Sequence, residues 1–369
     1  MKKSLIFAAM ACIAFASCTE DEVFTTNLNQ EHEISFGTPY VGKTTRVAQE
    51  LGATYDTNEK FNVYAVWHNG NFNGWENGSL YMDNVETAYA AAPIDGWKPV
   101  GNQYYWPKNG YLTFAAYSPS GAVPAENAHY AADGLTLVGF QVANDNAEHV
   151  DLLYSKRSYN NKKANANDAN GNTYEDGSTH YKGVEIDFQH ALSSIHFTAK
   201  LDNAYTGTNI TLKKISIYGV YTQADFKEKV NESTPGTYAS NPTWINHNAY
   251  NQTLPAHSAY VYYESGQLLS DAQWVMKDVR GQTDIIALPQ ELPTDATIKI
   301  EYTIKSPTAT SAIAQTNTFA INELTPEWQP GKRYIYNMIF GFDEIYFAPE
   351  VIDWSTVNPE PEVSVEDYQ

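Results

Sequence analysis

The stretch Phe61-Asn62-Val63-Tyr64-Ala65-Val66-Trp67 decides the fold class of this sequence. Its first, third, fifth and seventh residues are all apolar. They would share one face of an extended chain, because side chains alternate between the two faces of a β-strand. Aromatic and β-branched side chains are also the ones that strands favour. We therefore predict a β-strand over residues 61–67, with one apolar face.

Similar short runs recur on both sides of this stretch, separated by Gly, Asn and Pro. They cover residues 33–36, 80–82, 103–106, 111–117, 135–142 and 150–154, and then 184–188, 194–199, 210–220, 259–264, 284–288, 297–304, 316–321, 334–340 and 344–347. Each half of the chain thus offers about seven strands, the number found in an immunoglobulin-like or transthyretin-like sandwich. The 27 Tyr, 15 Phe and 8 Trp fit an all-β fold, and no stretch beyond the N-terminus keeps helical periodicity.

A change of composition divides the chain. Residues 155–183 are rich in Asn, Lys, Asp, Gly and Ser, which indicates a long exposed loop and a domain boundary. We predict an N-terminal β-sandwich over residues 47–182, completed by the strand at 33–36, and a C-terminal β-sandwich over residues 183–354. Residues 355–369 form a polar, acidic tail.

The N-terminus has the parts of an export signal. Lys2 and Lys3 precede an apolar run over residues 5–15, which is too short for a permanent membrane span. The run ends in Phe15-Ala16-Ser17-Cys18, which is similar to the lipobox of bacterial lipoproteins. We predict a signal peptide over residues 1–17 and a lipid anchor, with an acyl chain such as palmitate, on Cys18. The alternative is an ordinary signal peptide that contains a cysteine.

Charge and cysteine content limit the partners and the means of stabilisation. The only other cysteine, Cys12, lies inside the signal, so the mature chain has no partner for an intramolecular disulfide. The formal net charge is −20, and removing Lys2 and Lys3 makes it more negative. Nucleic acid and anionic lipid surfaces are therefore poor partners.

The acidic, Asn-rich loop was considered as a calcium site. Residues 166–171 place oxygen-bearing side chains before a glycine, as calcium loops do. An EF-hand also needs ligands at positions one and twelve, where this loop has Ala166 and Gly177. A solvated loop is the better interpretation. Incidental calcium binding stays open for three acidic side chains, namely Asp168, Glu175 and Asp176.

No other motif indicates catalysis. His190 and His196 are too far apart along a strand to hold one zinc ion, and we interpret His190 as a hydrogen-bonded structural residue. The sequence has no Gly-x-Ser-x-Gly elbow, Walker loop or dinucleotide fingerprint. A pair of catalytic carboxylates among the 43 acidic residues stays open, because sequence does not give their separation. We expect no metal, no cofactor and no enzymatic activity.

Four tryptophans allow two interpretations. Stacked on an exposed surface they would bind sugar rings, whereas in a sandwich without disulfides they more often fill the core. We favour the core. The four residues are Trp67, Trp75, Trp97 and Trp106.

Taken in order, several short segments resemble the fimbrillin family, the subunits of type V pili and their fimbrillin-like relatives. The segments are Ile34-Ser35-Phe36 with Thr45-Arg46; Tyr105-Trp106-Pro107 with Leu112-Thr113-Phe114-Ala115-Ala116-Tyr117-Ser118-Pro119; Asp151-Leu152-Leu153-Tyr154-Ser155; Phe188-Gln189-His190-Ala191-Leu192-Ser193-Ser194-Ile195; Ile215-Ser216-Ile217-Tyr218-Gly219-Val220-Tyr221-Thr222; Leu288-Pro289-Gln290; and Gly331-Lys332-Arg333-Tyr334-Ile335-Tyr336-Asn337 with Asp353-Trp354.

This resemblance implies two tandem transthyretin-like (Greek-key, immunoglobulin-like) β-sandwiches and an outer-membrane lipoprotein precursor at the cell surface. It also implies that an Arg-specific protease cuts between Arg46 and Val47, so that the lipidated propeptide, residues 18–46, leaves with its first strand. Ile34 and Phe36 would fill the groove that this strand occupies. Another pilus subunit would then refill the groove by donor-strand exchange, building a fimbrium that supports adhesion.

The donor strand itself has two candidates. One is the segment with Ile345, Phe347 and Val351, which is alternatively the last strand of its own domain. The other is the weakly alternating pair Val363 and Val365 in the tail. A tip, stalk or anchor role is left open. The alternative function is a surface lipoprotein that does not polymerise and binds a glycan or a host protein.

Overall fold

A computed structural model describes most of the mature chain. It covers residues 33–41, 53–70, 78–91, 96–131, 134–143, 145, 148–161, 183–203, 207–231, 239–250, 260–271, 274–275, 284–341 and 344–354.

Within these ranges the chain is almost entirely β-structure. The first half contains β1 (Tyr40–Val41), β2 (Ala53–Thr54), β3 (Lys60–His68), β4 (Gly78–Ala90), β5 (Gly96–Pro99), β6 (Tyr111–Ser118), β7 (Ala128–Ala131), β8 (Gly134–Gln141), β9 (Leu153–Ser155) and β10 (Ser158–Asn161). The second half contains β11 (Asp187–His190), β12 (Ser193–Leu201), β13 (Asn209–Tyr218), β14 (Tyr221–Asn231), β15 (Ala239–Tyr250), β16 (Tyr260–Leu268), β17 (Ile285–Ala287), β18 (Gln290–Glu291), β19 (Thr297–Lys305), β20 (Ile313–Ala320), β21 (Glu327–Trp328), β22 (Lys332–Phe340) and β23 (Ile345–Asp353).

Helical structure in the described ranges is limited to single turns, a 3-10 turn at Ala125–Asn127 and the helix α1 at Ile321–Leu324. None of the helices in the described ranges has the length and apolar character needed to cross a membrane. The predicted all-β fold class is confirmed.

Strand β3, which contains the predicted strand at 61–67, lies inside the largest sheet. The nine strands of this sheet run in the order β2-β1-β11-β9-β6-β3-β4-β5, and β10 also pairs with β6. Phe61, Val63 and Ala65 belong to a smaller hydrophobic cluster on one face. Tyr64 and Val66 belong to a larger cluster on the other face. Both faces of β3 are therefore buried, whereas the sequence predicts one, which explains why nearly every residue of the strand is apolar.

The larger cluster is enclosed by the remaining sheets. Two of these have the strand orders β17-β12-β22-β23 and β16-β13-β19-β20, and a third has the order β15-β14-β8-β7. Strands β18 and β21 form a two-stranded ribbon. Strands β12 and β22 run parallel over eight residue pairs, and the other ladders of these sheets are antiparallel.

The sequence gives no strand prediction for β14, and its burial pattern shows why. Its buried positions alternate, as a strand requires, at Thr222, Ala224, Phe226 and Glu228. Two of these side chains are polar, so the alternation is invisible on a scale of hydrophobicity. Glu228 is accommodated in the interior by Arg157, whose guanidinium Nε lies 3.9 Å from the Glu228 carboxylate.

Backbone ladders cross the predicted boundary between residues 182 and 183. Strand β8 pairs with β14, and β11 pairs with both β9 and β1. The two halves therefore share hydrogen-bonded sheets. The division into sandwiches at 47–182 and 183–354, and their transthyretin-like detail, stay predictions.

Candidate functional site

Residues 33–41, the N-segment, lie between two parts of the first sheet. On one side the Ile34 N–H donates to the Tyr104 carbonyl at 2.7 Å. Phe36 and Trp97 exchange two backbone bonds, at 2.8 and 3.2 Å. This edge of the N-segment is thus held by β5 and by the chain that follows it.

The other edge of the N-segment is held by residues 183–188. The Val184 N–H donates to the Ser35 carbonyl at 2.9 Å, and the Gly37 N–H donates to the Val184 carbonyl at 2.9 Å. Tyr40 then enters β1, which pairs parallel with β11. The N-segment therefore fills a gap between β5 and residues 183–188, which we call the N-segment groove.

Two side chains of the N-segment reach the bottom of this groove. Ile34 and Phe36 are both 0% exposed and belong to the smaller hydrophobic cluster. The Phe36 ring meets Phe61 and Phe114 edge to face, with centroids 6.0 and 5.7 Å apart. Burying each of these side chains is worth about 1.5–3 kcal/mol relative to leaving it in water.

Tyr55 closes the cluster near β2. Its ring packs edge to face on Phe61, with centroids 5.8 Å apart. Its hydroxyl lies 2.6 Å from the Ser118 Oγ and donates to the Lys60 carbonyl at 3.0 Å. Burial raises the pKa of Tyr55 to about 12, against the weaker effect of the Ser118 hydrogen bond. The phenol therefore stays neutral and acts as a structural hydrogen-bonding group.

An ion pair fixes the start of the N-segment. The Lys98 Nζ lies 2.6 Å from the Glu33 Oε2, and the two side chains are 23% and 10% exposed. Such a partly buried, charge-assisted bond has a defined geometry and helps set the register of the segment.

Gly183 allows the backbone of the N-segment to approach. Its φ of +93° is in the region that favours glycine. A Cβ at this position would lie 2.5 Å from the Phe36 carbonyl carbon and 2.7 Å from the Gly37 nitrogen. The close contact between residue 183 and the N-segment therefore requires glycine.

The predicted site residues fall in three places. Ile34 and Phe36 lie in the N-segment groove. Ile345, Phe347 and Val351 lie in β23, which pairs with β22 of the same chain along nine residues. Ile345 is buried and Val351 is 48% exposed. The remaining predicted residues lie outside the described ranges, namely Cys18, Arg46, Val47, Val363 and Val365.

The histidines have separate structural partners. The His190 Nδ1 bonds to Asp151 at 2.8 Å, and the His196 Nδ1 bonds to Asp284 at 2.9 Å. The structural interpretation of His190 is therefore confirmed. In the part of the chain that the structure describes, no group of acidic, histidine or cysteine side chains is arranged to hold a metal ion. The loop with Asp168 lies outside that part.

Two of the four tryptophans belong to the core beside the groove. Trp97 is 1% exposed and Trp106 is 8% exposed, so the core interpretation is confirmed for both. Trp67 is half-buried, and its indole N–H donates to the Asn109 carbonyl at 2.9 Å. Trp75 lies outside the described ranges.

The sequence does not identify Lys98 and Gly183 as residues of the groove. Opposite charges at Glu33 and Lys98 are 65 positions apart, and no local pattern pairs them. The only local signal for Gly183 is its place directly before the predicted strand at 184–188.

Comparison with solved structures supports the fold. A fimbrial protein from Bacteroides vulgatus is 18% identical, with a TM-score of 0.50, and the match covers 88% of this chain and 99% of that one. A proposed cell adhesion protein from Bacteroides uniformis is 15% identical, with a TM-score of 0.47 and coverage of 87% and 98%. The fimbrial anchor protein Mfa2 from Porphyromonas gingivalis is 11% identical, with a TM-score of 0.25 and coverage of 87% and 98%.

Comparison with protein families is more specific. No curated protein matches the chain. A family model described as fimbrillin-like matches residues 45–354, which is most of the sequence and nearly all of the described structure. The chain therefore belongs to the fimbrillin-like family, as a structural protein and not an enzyme.

Proposed function

We propose that the chain, a fimbrial subunit by its family, assembles by exchanging its N-segment for a strand of a neighbouring subunit. The observation that carries this proposal is the N-segment groove. One short segment, far in sequence from the groove walls, satisfies backbone groups on both sides and buries two apolar side chains. If that segment left, the open sheet edges and the apolar channel would favour a replacement strand.

Processing would create the vacancy. Cys18 would tether the precursor to the outer membrane through its lipid, and an Arg-specific protease would cut after Arg46. Val41 ends β1, so the proposed cut lies five residues beyond the groove, in the sequence Gly-Lys-Thr-Thr-Arg. Small, polar residues of this kind suit entry into a protease site. The N-segment would then be bound only by noncovalent contacts.

The tail offers a donor of matching pattern. Glu362-Val363-Ser364-Val365 repeats the order acid, β-branched residue, serine, apolar residue of Glu33-Ile34-Ser35-Phe36. In the same register, Glu362 of one subunit would pair with Lys98 of the next. Val363 and Val365 would enter the sites of Ile34 and Phe36. Valine is smaller than phenylalanine and would fill the Phe36 site less well, so the exchange depends on removal of the N-segment.

Donation by β23 competes less well as a proposal. Releasing Ile345, Phe347 and Val351 would break the nine-residue ladder with β22. It would also separate the Phe347 ring from Phe319, whose centroid lies 4.9 Å away. The role of β23 as the last strand of its own sheet fits these contacts better. The assembled fimbrium would serve in adhesion at the cell surface.

Incubation of the purified precursor with an Arg-specific protease tests the proposal. We expect a product that begins at Val47, detected by N-terminal sequencing, and a ladder of oligomers in native electrophoresis. The Arg46→Ala precursor is the matched control and should remain uncut at this position and monomeric. A chain that is cut before Val47 and stays monomeric at high concentration would contradict a polymerising role.

A further inference from the structure

A second concave site lies away from the N-segment groove, where β15 faces the β18–β21 ribbon. It is a cleft of about 630 Å³. Its walls are Tyr221, the β15 residues between Pro242 and His247, residues 289–294 and residues 327–330. We call it the ribbon cleft. Its volume falls in the range of about 300–1,000 Å³ that is typical of small-molecule sites.

The base of the ribbon cleft is rigid. The Gln290 side chain accepts the Tyr221 N–H at 2.8 Å and donates to the Tyr221 and Leu288 carbonyls at 3.1 and 3.0 Å. This buried amide ties the ribbon to the start of β14. Four lining residues also have a φ fixed by a pyrrolidine ring, namely Pro242, Pro289, Pro293 and Pro330. A ligand would therefore meet a largely preformed surface, which lowers the entropic cost of binding.

Aromatic rings form the apolar part of the cleft. Trp244 and Trp328 are 9% and 1% exposed, and their indole N–H groups donate to Ala191 and Tyr336 at 2.7 and 3.0 Å. These two rings are fixed in the floor. Tyr221 and His247 are half-buried, with ring centroids 5.4 Å apart. Rings of this kind, together with proline side chains, present apolar surface to a ligand.

Hydrogen-bond acceptors line the rim. Glu291 and Glu327 are direct partners in the antiparallel ribbon, and both are exposed. The Gln329 amide donates to one Glu327 oxygen at 2.5 Å. The His247 Nε2 lies 2.9 Å from the Pro289 carbonyl, which only accepts, so Nε2 carries the proton. In the neutral ring, the His247 Nδ1 is then a further acceptor.

This combination selects the chemistry of a ligand. Acceptors at the rim call for a molecule with several donors, and rings and prolines call for apolar surface on the same molecule. A sugar ring has both, with hydroxyl groups on its edges and C–H groups on its faces. A bare inorganic cation would leave the rings and prolines without a contact. An acidic ligand would be repelled by the two carboxylates and by the net charge of −20.

We propose that the ribbon cleft binds a neutral saccharide, with the sugar face on the apolar wall of Tyr221, His247 and the prolines, and its hydroxyl groups donating to Glu291 and Glu327. The site uses side chains of the larger cluster and its ribbon, and none from the N-segment groove. Binding is therefore independent of polymerisation, and the uncut subunit should bind as well as an assembled one.

The test applies the purified full-length chain to an array of neutral and sialylated oligosaccharides, including lactose and its matched partner sialyllactose. The tightest neutral glycan is then titrated by calorimetry. We expect neutral glycans to bind and their sialylated forms to bind more weakly. Replacing Glu291 or Glu327 by Ala should weaken binding about tenfold, since each change removes a hydrogen bond to a charged group.

Glu126→Ala is the matched control. Glu126 is also an exposed glutamate, but it lies in the 3-10 turn outside the cleft, so its loss should leave the affinity unchanged. Three outcomes would overturn the proposal. They are an array on which no neutral glycan binds, an affinity unchanged in the Glu291→Ala/Glu327→Ala double variant, and binding confined to a basic probe such as trilysine.

Discussion

At the scale of single residues, the N-segment is held by three different kinds of contact. Phe36 contributes buried apolar surface, Lys98 contributes charge opposite Glu33, and Gly183 contributes the absence of a side chain. The first stabilises the segment without direction, whereas the ion pair and the glycine fix where the backbone lies. A strand that replaces the N-segment must satisfy the same three contacts.

The importance of Gly183 can be tested against a glycine with a similar backbone. Gly101 has a φ of +86°, and a Cβ there would meet nothing within 4 Å. Alanine at Gly101 should therefore cost only the strain of a positive φ, about 1–2 kcal/mol in the free energy of unfolding. Alanine at Gly183 should cost more, because it also displaces the backbone at Phe36. Chemical denaturation measures both values, and equal losses would contradict the close contact.

The sequence identifies some of these residues and misses others for a physical reason. Alternation within Glu33-Ile34-Ser35-Phe36 selects Ile34 and Phe36 for burial, and the structure buries both completely. Lys98 and Gly183 matter only through contacts with residues far away along the chain. Neither an isolated lysine nor an isolated glycine carries a local pattern that reveals its partner.

At the scale of secondary-structure elements, apolar alternation identifies strands best where every inward side chain is apolar. Strand β3 satisfies this on both faces and is easily predicted. Strand β14 buries Thr222 and Glu228 beside Ala224 and Phe226, so its alternation is masked. The N-segment is a third case. It makes only single bridges at Glu33 and Phe36 before β1, although its sequence pattern is that of a strand.

If the N-segment acts as a replaceable element, it should also act in trans. Our proposal for assembly predicts that a synthetic peptide of residues 33–41, added to subunits cut before Val47, occupies the groove and blocks oligomer formation. Size-exclusion chromatography would measure the loss of oligomers. The same peptide with Phe36→Asp is the control, because a charge cannot enter the apolar site cheaply. Equal behaviour of the two peptides would contradict a groove that accepts strands.

At the scale of the whole molecule, one sheet serves two hydrophobic clusters. The faces of β3 divide between them, and the ladders of β8 with β14 and of β11 with β9 join the two halves of the chain. The all-β class follows from alternation and composition. The shared sheets do not, because pairing between distant strands depends on tertiary contacts that a single sequence does not list.

This arrangement suits a subunit that exchanges one segment. The N-segment belongs to the smaller cluster alone, so the larger cluster keeps all of its described side chains when the segment leaves. The ribbon cleft is likewise untouched by the exchange. A folded body of this kind would remain intact while its groove changes occupant.

Hydrogen exchange at two backbone amides tests the central claim most directly. The Trp97 and Val184 N–H groups donate to the Phe36 and Ser35 carbonyls of the N-segment. Both amides should be protected in the uncut chain, exchange rapidly in cut and unassembled subunits, and be protected again in the assembled fimbrium. Amides that stay unprotected after assembly, or that stay protected in the cut monomer, would contradict replacement of the N-segment by a strand from another subunit.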